Sequence, residues 1–207
     1  MSEDKPNIDA LEERTLELLV RQTMTDEDMI RQVLGLLKGH WKTFSTIAAS
    51  KSGRYHPEVC NKIPYGLVNH TMRVVWLVRE LHTEEYTREA TQDIRYNQLV
   101  AAAWIHDIGK CAQYYEEYKV KVDHSVIGVK WAQEMGCDSV ICALIRTHMH
   151  GWDNHSYHEL HDGSRILARI LAYADYLASR KELDFPTLGT FDELKMNVVK
   201  YGKLESE

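Results

Sequence analysis

The stretch Ala101-Ala102-Ala103-Trp104-Ile105-His106-Asp107-Ile108-Gly109-Lys110 constrains this chain more than any other. An apolar, alanine-rich run of helical character ends in a histidine and a carboxylate side by side, and Gly109 and Lys110 follow as a helix stop and a mobile positive charge. Burying a carboxylate is costly unless something positive meets it. A metal ion bound by both side chains removes that difficulty. A His-Asp pair alone is more often a solvated helix terminus, so the reading depends on what else the chain brings to the doublet.

Three further segments supply it. A helix predicted over residues 65–82 turns Leu67, Thr71, Val74, Val75, Val78 and Leu81 inward, and His70 lies within about a turn of Leu67 and Val74 on that side. A lone histidine on an apolar face is more often a core residue with a hydrogen bond, but this one has partners downstream. Asp123 reads as the N-cap of a helix whose first turn holds His124, and Asp138-Ser139 opens another that leads to Arg146-Thr147-His148-Met149-His150. Gly136 closes the first of this pair. A long helix predicted from Ser164 carries Ile166, Leu167, Ile170, Leu171, Ala174 and Leu177 as its apolar stripe, with Asp175 at the margin of that face and Arg180 beyond it.

The doublet and its partners resemble the signature of the HD superfamily of metal-dependent phosphohydrolases over residues 56–180. That resemblance implies an all-α helical bundle with a metal site between helices. It assigns His70, His106, Asp107 and Asp175 to the metal, and the binuclear pattern adds His124 and His148. Residues 143–151 look like the Ile-Arg-x-His-x-x-Gly stretch of symmetrical diadenosine tetraphosphate hydrolases, with His148 in the ligand position. His150 departs from the pattern of HD-type exoribonucleases and cyclic-dinucleotide phosphodiesterases, whose two histidines are adjacent, so a role toward metal, substrate or neither stays open and it is grouped with the substrate-binding candidates. Arg54-Tyr55-His56 is similar to a Tyr-His found before Gly-Leu-x-x-His in relaxase-associated HD proteins, which makes His56 an outer ligand, a phosphate contact or a surface histidine. Arg180 matches a basic residue that ends the last helix in relatives and joins His56 and His150 as a substrate contact.

With 207 residues and 44% hydrophobic content, one sizeable core is expected. Residues 1–50 read as helices covering that core: one from Asn7, one capped by Thr25 and ending at Gly39, and a third over residues 40–49. Residues 51–64 read as a loop, 51–181 as the catalytic core and 182–207 as a polar extension with a short helix over residues 191–201. Residues 83–87 form a connection, a helix from Arg88 or Thr91 leads to the doublet, and residues 111–118 either wall a pocket or pack helices. A net charge of -6 disfavours sequence-independent gripping of a long duplex and leaves small phosphorylated ligands open. Four cysteines without a C-x-x-C pair, and no N-terminal apolar segment of signal-peptide type, imply reduced thiols in a cytoplasm. No apolar run is long enough to span a bilayer. Of eleven histidines five fall within residues 148–161, a polar loop of the kind that carries selectivity.

Imidazole and carboxylate donors without thiolates suit divalent Mn, Fe, Co, Ni, Zn or Mg without choosing among them. Two ions are expected. If Asp107 bridges, His70, His106 and Asp175 complete one site and His124 and His148 the other, and two cations that close activate water and clamp a phosphoryl oxygen. Lys110 and Arg73 are the expected charge-neutralising groups. Because His124 begins one helix and His148 ends the next, an antiparallel pairing is expected to part them, and an angled packing to let both reach Asp107. The expected substrate is a small phosphorylated molecule, a nucleotide or a nucleic-acid 3′ end; the competing readings are a non-catalytic nucleotide-binding module and a di-iron oxygenase on the same scaffold.

Overall fold

The computed structural model describes residues 8–50, 52–85, 94–113, 123–149, 158, 160–183 and 189–205. Every regular element among them is a helix: α1 (Ala10–Thr23), α2 (Glu27–Phe44), α3 (Glu58–Asn61), α4 (Gly66–Glu85), α5 (Ile94–Ile105), α6 (Lys110–Gln113), α7 (His124–Glu134), α8 (Ser139–Thr147), α9 (Asp162–Ala178) and α10 (Phe191–Tyr201). The fold is all-α. Carboxylate and hydroxyl caps set most of the starts: Asp9, Asp26, Asp123 and Asp138 each accept from backbone N–H groups of the first turn, and Thr190 forms a reciprocal capping box with Glu193.

Several local expectations need correction. Asp26 rather than Thr25 caps α2: its carboxylate accepts from the Asp28 and Met29 N–H groups, while Thr25 Oγ1 is taken by Asn97 Nδ2 at 3.2 Å. Helix α2 does not end at Gly39 but continues to Phe44, so there is no separate helix over residues 40–49. A mid-helix glycine costs only about 1 kcal/mol. Burial of Leu36, Leu37, Trp41 and Phe44 on the same helix outweighs that. Helix α1 starts at Ala10, not Asn7, and α9 at Asp162, two residues before Ser164. The predicted helix start at Arg88 or Thr91 and the aromatic run 114–118 lie outside the described residues.

Helix α5 is the axis of the molecule. From Leu99 to Ile105 no residue is more than 2% exposed, as expected for a helix apolar on all sides. It packs against α2, α4, α8 and α9, while α4 also packs on α9 and α7 on α8. The His106-Asp107 doublet is thereby delivered to the middle of the protein. The terminal helices share the same core: the Phe191 ring of α10 lies 5.3 Å from Trp41 and 4.9 Å from Tyr65, and its backbone N–H donates to Asn69 Oδ1 at 2.9 Å. Among the described residues no helix is long and apolar enough to cross a membrane.

Gly109 has a different part from the one expected of it. The helix stops earlier, at Ile105, and residues 106–109 form a turn before α6. A Cβ on Gly109 would come within 2.0 Å of the His124 carbonyl oxygen and 2.8 Å of the Gly128 nitrogen. The glycine is required by the close approach of α7 to this turn, not by a left-handed helix terminus.

Candidate metal centre

The C-terminal ends of α5 and α8 use the same device to orient a histidine. A helix leaves its last carbonyls without intrahelical partners. Those of Ala103 and Ile145 accept from Nδ1 of His106 (2.8 Å) and His148 (2.7 Å), three residues on. A carbonyl oxygen can only accept, so each Nδ1 carries the proton and each Nε2 presents a lone pair. His124 differs: it stands in the first turn of α7, with Nδ1 3.3 Å from Oδ1 of Asp123, the residue that also caps the helix. His70 comes from the second turn of α4 and Asp175 from the last turns of α9.

These side chains form two groups joined at one carboxylate. His70, His106 and Asp175 lie together, as do Asp107, His124 and His148, each set with ligand atoms within 4.8 Å of one another. Asp107 Oδ2 is 3.6 Å from His70 Nε2 and 3.4 Å from His106 Nε2. Its Oδ1 is 3.1 Å from His124 Nε2 and 3.5 Å from His148 Nε2. Asp175 Oδ1 completes the first group at 3.0 Å from His70 and 3.8 Å from His106. Atoms about 2.1 Å from a common ion lie roughly 3 to 3.5 Å apart, so the spacings suit metal ligation.

Unmet hydrogen-bonding capacity points the same way. His106 Nε2 and Asp107 Oδ1 are buried without a hydrogen-bond partner, while among the described residues the Nε2 atoms of His124 and His148, 3.1 Å apart, are hydrogen-bonded only to each other. Lone pairs and carboxylate oxygens converging in a buried space call for a cation. Lys110 Nζ, 2.5 Å from Asp107 Oδ2 and 3.0 Å from the Ala49 carbonyl, meets that need on one side only. The nearby Cys111 does not join the donor set: burial, and then the negative charge of Asp107, push its thiol up, so it remains protonated.

The protonation states follow from these contacts. Burial alone would raise Asp107, but Lys110, His106 and His124 outweigh it and hold the carboxyl well below its ordinary range. Asp175 is likewise lowered against burial, by its hydrogen bond to His70 and the nearby His106. Burial lowers His70 and His148, which favours the neutral ligand form. For His106 the pull of Asp107 overcomes burial and the shift is upward.

The pairing of His124 with His148 reverses an expectation. In a helical hairpin the start of the first helix and the end of the second lie at the same end, so α7 and α8, joined by four residues, carry both histidines to Asp107. No angled crossing is needed.

The remaining candidates fall in different places. His56 sits beside the first group, its ring centroid 5.0 Å from that of His70 and its Nε2 3.2 Å from Ser179 Oγ; burial and the positive charge of neighbouring groups lower it to about 4, and its Nδ1 has no partner. Arg180 stacks on Tyr176, 4.1 Å from the ring centroid. Arg73 is not among the groups gathered around Asp107: it donates to the Leu183 carbonyl at 3.4 Å and lines a small cavity with Leu19, Met72, Trp76 and Trp104. Its place on α4, three residues after His70, turns it toward a neighbouring face. His150 lies outside the described residues. Sequence reasoning missed the groups behind the ligands: the Ala103 and Ile145 carbonyls, Ser179, and Asp123 as a partner of His124. Only the last had a signal, a carboxylate directly preceding a candidate ligand.

No curated protein and no solved structure matches the chain. The family model of the HD domain matches residues 67–180. That span is over half the chain and contains every side chain of the two groups described above, with the His-Asp doublet between them, and on that match the chain belongs to the HD domain family.

Proposed function

We propose that the chain is a metal-dependent phosphohydrolase that cleaves a phosphoester or phosphoanhydride bond of a nucleotide or a nucleic-acid 3′ end, with water as nucleophile. One observation carries this reading: a single buried carboxylate, Asp107, turns one oxygen to each of two histidine-containing groups. Divalent cations held there would supply Lewis acidity toward a phosphoryl oxygen and lower the pKa of water. His70, His106 and Asp175 are the residues for one ion, His124 and His148 for the other, with Asp107 shared. The Ala103 and Ile145 carbonyls keep His106 and His148 in the tautomer that leaves Nε2 free to bind. Lys110 holds Asp107 ionised and offsets negative charge on the phosphoryl group. His56, neutral near pH 7, offers a ring nitrogen to a substrate oxygen. Burial of His70, His106 and His148 excludes bulk water from the ligands' inner side.

The test is a screen of the purified, metal-reconstituted chain against mononucleotides, cyclic nucleotides, dinucleoside polyphosphates and short oligonucleotides, read by phosphate release and product mass. Elemental analysis is expected to find two ions per chain, falling to one in the His124→Ala plus His148→Ala double variant. Asp107→Ala is expected to lose metal and hydrolysis together while circular dichroism still reports the helices, since the change also removes a buried charge. Absence of turnover with every metal, or full activity in Asp107→Ala, would refute the reading.

A further inference from the structure

One face of α9 takes no part in the core. Arg169, Tyr173 and Tyr176 follow one another at helical spacing, within about 60° around the axis, and Arg180, two residues past the end of the helix, extends the row to roughly 16 Å. Tyr173 is 54% and Tyr176 43% exposed, large values for aromatic side chains, and their rings stack at 6.5 Å with planes 10° apart. Arg180 lies over Tyr176 at 4.1 Å and over Tyr55 at 5.8 Å, with its Nε buried and without a hydrogen-bond partner. Tyr55, itself 56% exposed, is tied to the end of α9 by the Lys181 N–H, which donates to its carbonyl at 2.9 Å.

The row leads to the metal centre. Asp175 lies between Tyr173 and Tyr176 in sequence but about 100° to 160° around the axis from them, so the row approaches the metal centre only at the end of α9; the side chains of Asp175 and Lys110, at 15% and 18% exposure, are the most open there, with His124 at 9% and His70, His106 and His148 at 0%. His56 follows Tyr55 in sequence and connects it to Ser179 and His70. The charges along the face are Arg165, Arg169, Arg180 and Lys181 against Asp162, which pairs with Arg165 at 3.4 Å, and Glu182. The face is therefore locally basic on a chain of net charge -6. Flat π faces alternating with guanidinium groups suit unpaired bases and their phosphates.

We propose that Tyr55, Tyr173, Tyr176, Arg169 and Arg180 form a stacking platform for a single-stranded nucleic acid whose scissile phosphodiester reaches the metal centre. The proposal rests on the phosphohydrolase reading and selects, among its substrates, a short single strand over a mononucleotide. At about 3.4 Å per stacked nucleotide the row accommodates roughly five. Binding is sequence-tolerant, because every base has a π face.

The test measures fluorescence anisotropy of the full chain, as isolated, with labelled phosphorothioate-linked strands of one to eight nucleotides, in RNA and DNA forms. Affinity is expected to rise with length to about five nucleotides and then level off. Tyr173→Ser plus Tyr176→Ser should weaken pentamer binding at least about tenfold, whereas Phe at both positions should restore it with an unchanged melting temperature. Arg169→Gln plus Arg180→Gln should lower the salt dependence by about one phosphate contact or more. A mononucleotide or a duplex that binds as tightly as the single-stranded pentamer, or serine variants that bind like wild type, would overturn the platform. Hydrolysis of bis(p-nitrophenyl) phosphate by the metal-loaded wild type reads the enzyme separately. Turnover of any substrate in the panel above without length-dependent binding defeats the platform alone, and length-dependent binding with no turnover of that diester or of any substrate in the panel defeats the phosphohydrolase reading and, with it, delivery of a scissile phosphodiester to the metal centre.

Discussion

At the scale of the residue, the organising fact is that the candidate ligands are held from behind. His106 and His148 are aimed by backbone carbonyls, which mutation cannot remove, while His124 faces the Asp123 carboxylate. Partners of this kind usually contribute 10- to 100-fold, roughly, in metal affinity. Asp123→Asn separates that contribution from helix capping, because asparagine caps as well as aspartate. The variant is expected to keep its helix content and to weaken one of two metal-binding events by about tenfold or more, as read by isothermal titration. Unchanged affinity for both ions would mean that Asp123 acts only as a cap.

At the scale of the element, the metal centre depends on how closely α7 approaches the turn after α5. Gly109→Ala would set a Cβ within 2.0 Å of the His124 backbone carbonyl, so α7 must move. Since that carbonyl belongs to a candidate ligand, stability and metal binding are expected to fall together. The destabilisation is expected at about 3 kcal/mol or more in urea denaturation, with loss of the ion held by His124 and His148. Gly128→Ala is the control: its Cβ would meet the Ile145 side chain at 3.2 Å, a contact that a small shift relieves. It should cost clearly less and keep both ions. Equal effects of the two substitutions would show that the tight approach at Gly109 is not special.

At the scale of the whole molecule, one core unites the helices before, within and after the matched domain. His40 is one of the joints: its ring stacks on Trp131 at 3.9 Å, linking α2 to α7, and burial lowers its pKa from the ordinary 6.5. The sign follows from that direction. The fold favours the neutral ring, so the contribution is fully present above the unfolded value of about 6.5 and is lost as pH falls from there through the folded value. The fall in urea midpoint between pH 7.5 and pH 5.5 is therefore expected to be smaller in His40→Phe than in wild type. Comparison with the variant cancels the histidines of the metal centre, which titrate in both proteins. Identical pH dependence would remove His40 from the account.

The helical class and the caps at Asp123 and Asp138 were legible in the sequence because each signal is local, whereas the six candidate ligands from His70 to Asp175 were legible only as an ordered set that resembles a known family's pattern. Apolar period, capping residues and a buried His-Asp doublet can be read within a few turns of chain. Where α2 ends was not legible, since the burial that carries it past Gly39 is supplied by residues far away in sequence. Nor was the arrangement of the site. That Asp107 turns one oxygen to each group, that α7 and α8 return both histidines to the same end, and that Arg73 goes to another face are consequences of long-range packing around α5. The sequence by itself determined which side chains carry imidazole and carboxylate donors and that they fall on or beside helices; only the tertiary structure decided which of them meet, because contact distances are set by how closely the helices approach, and at Gly109 by the absence of a single methyl group.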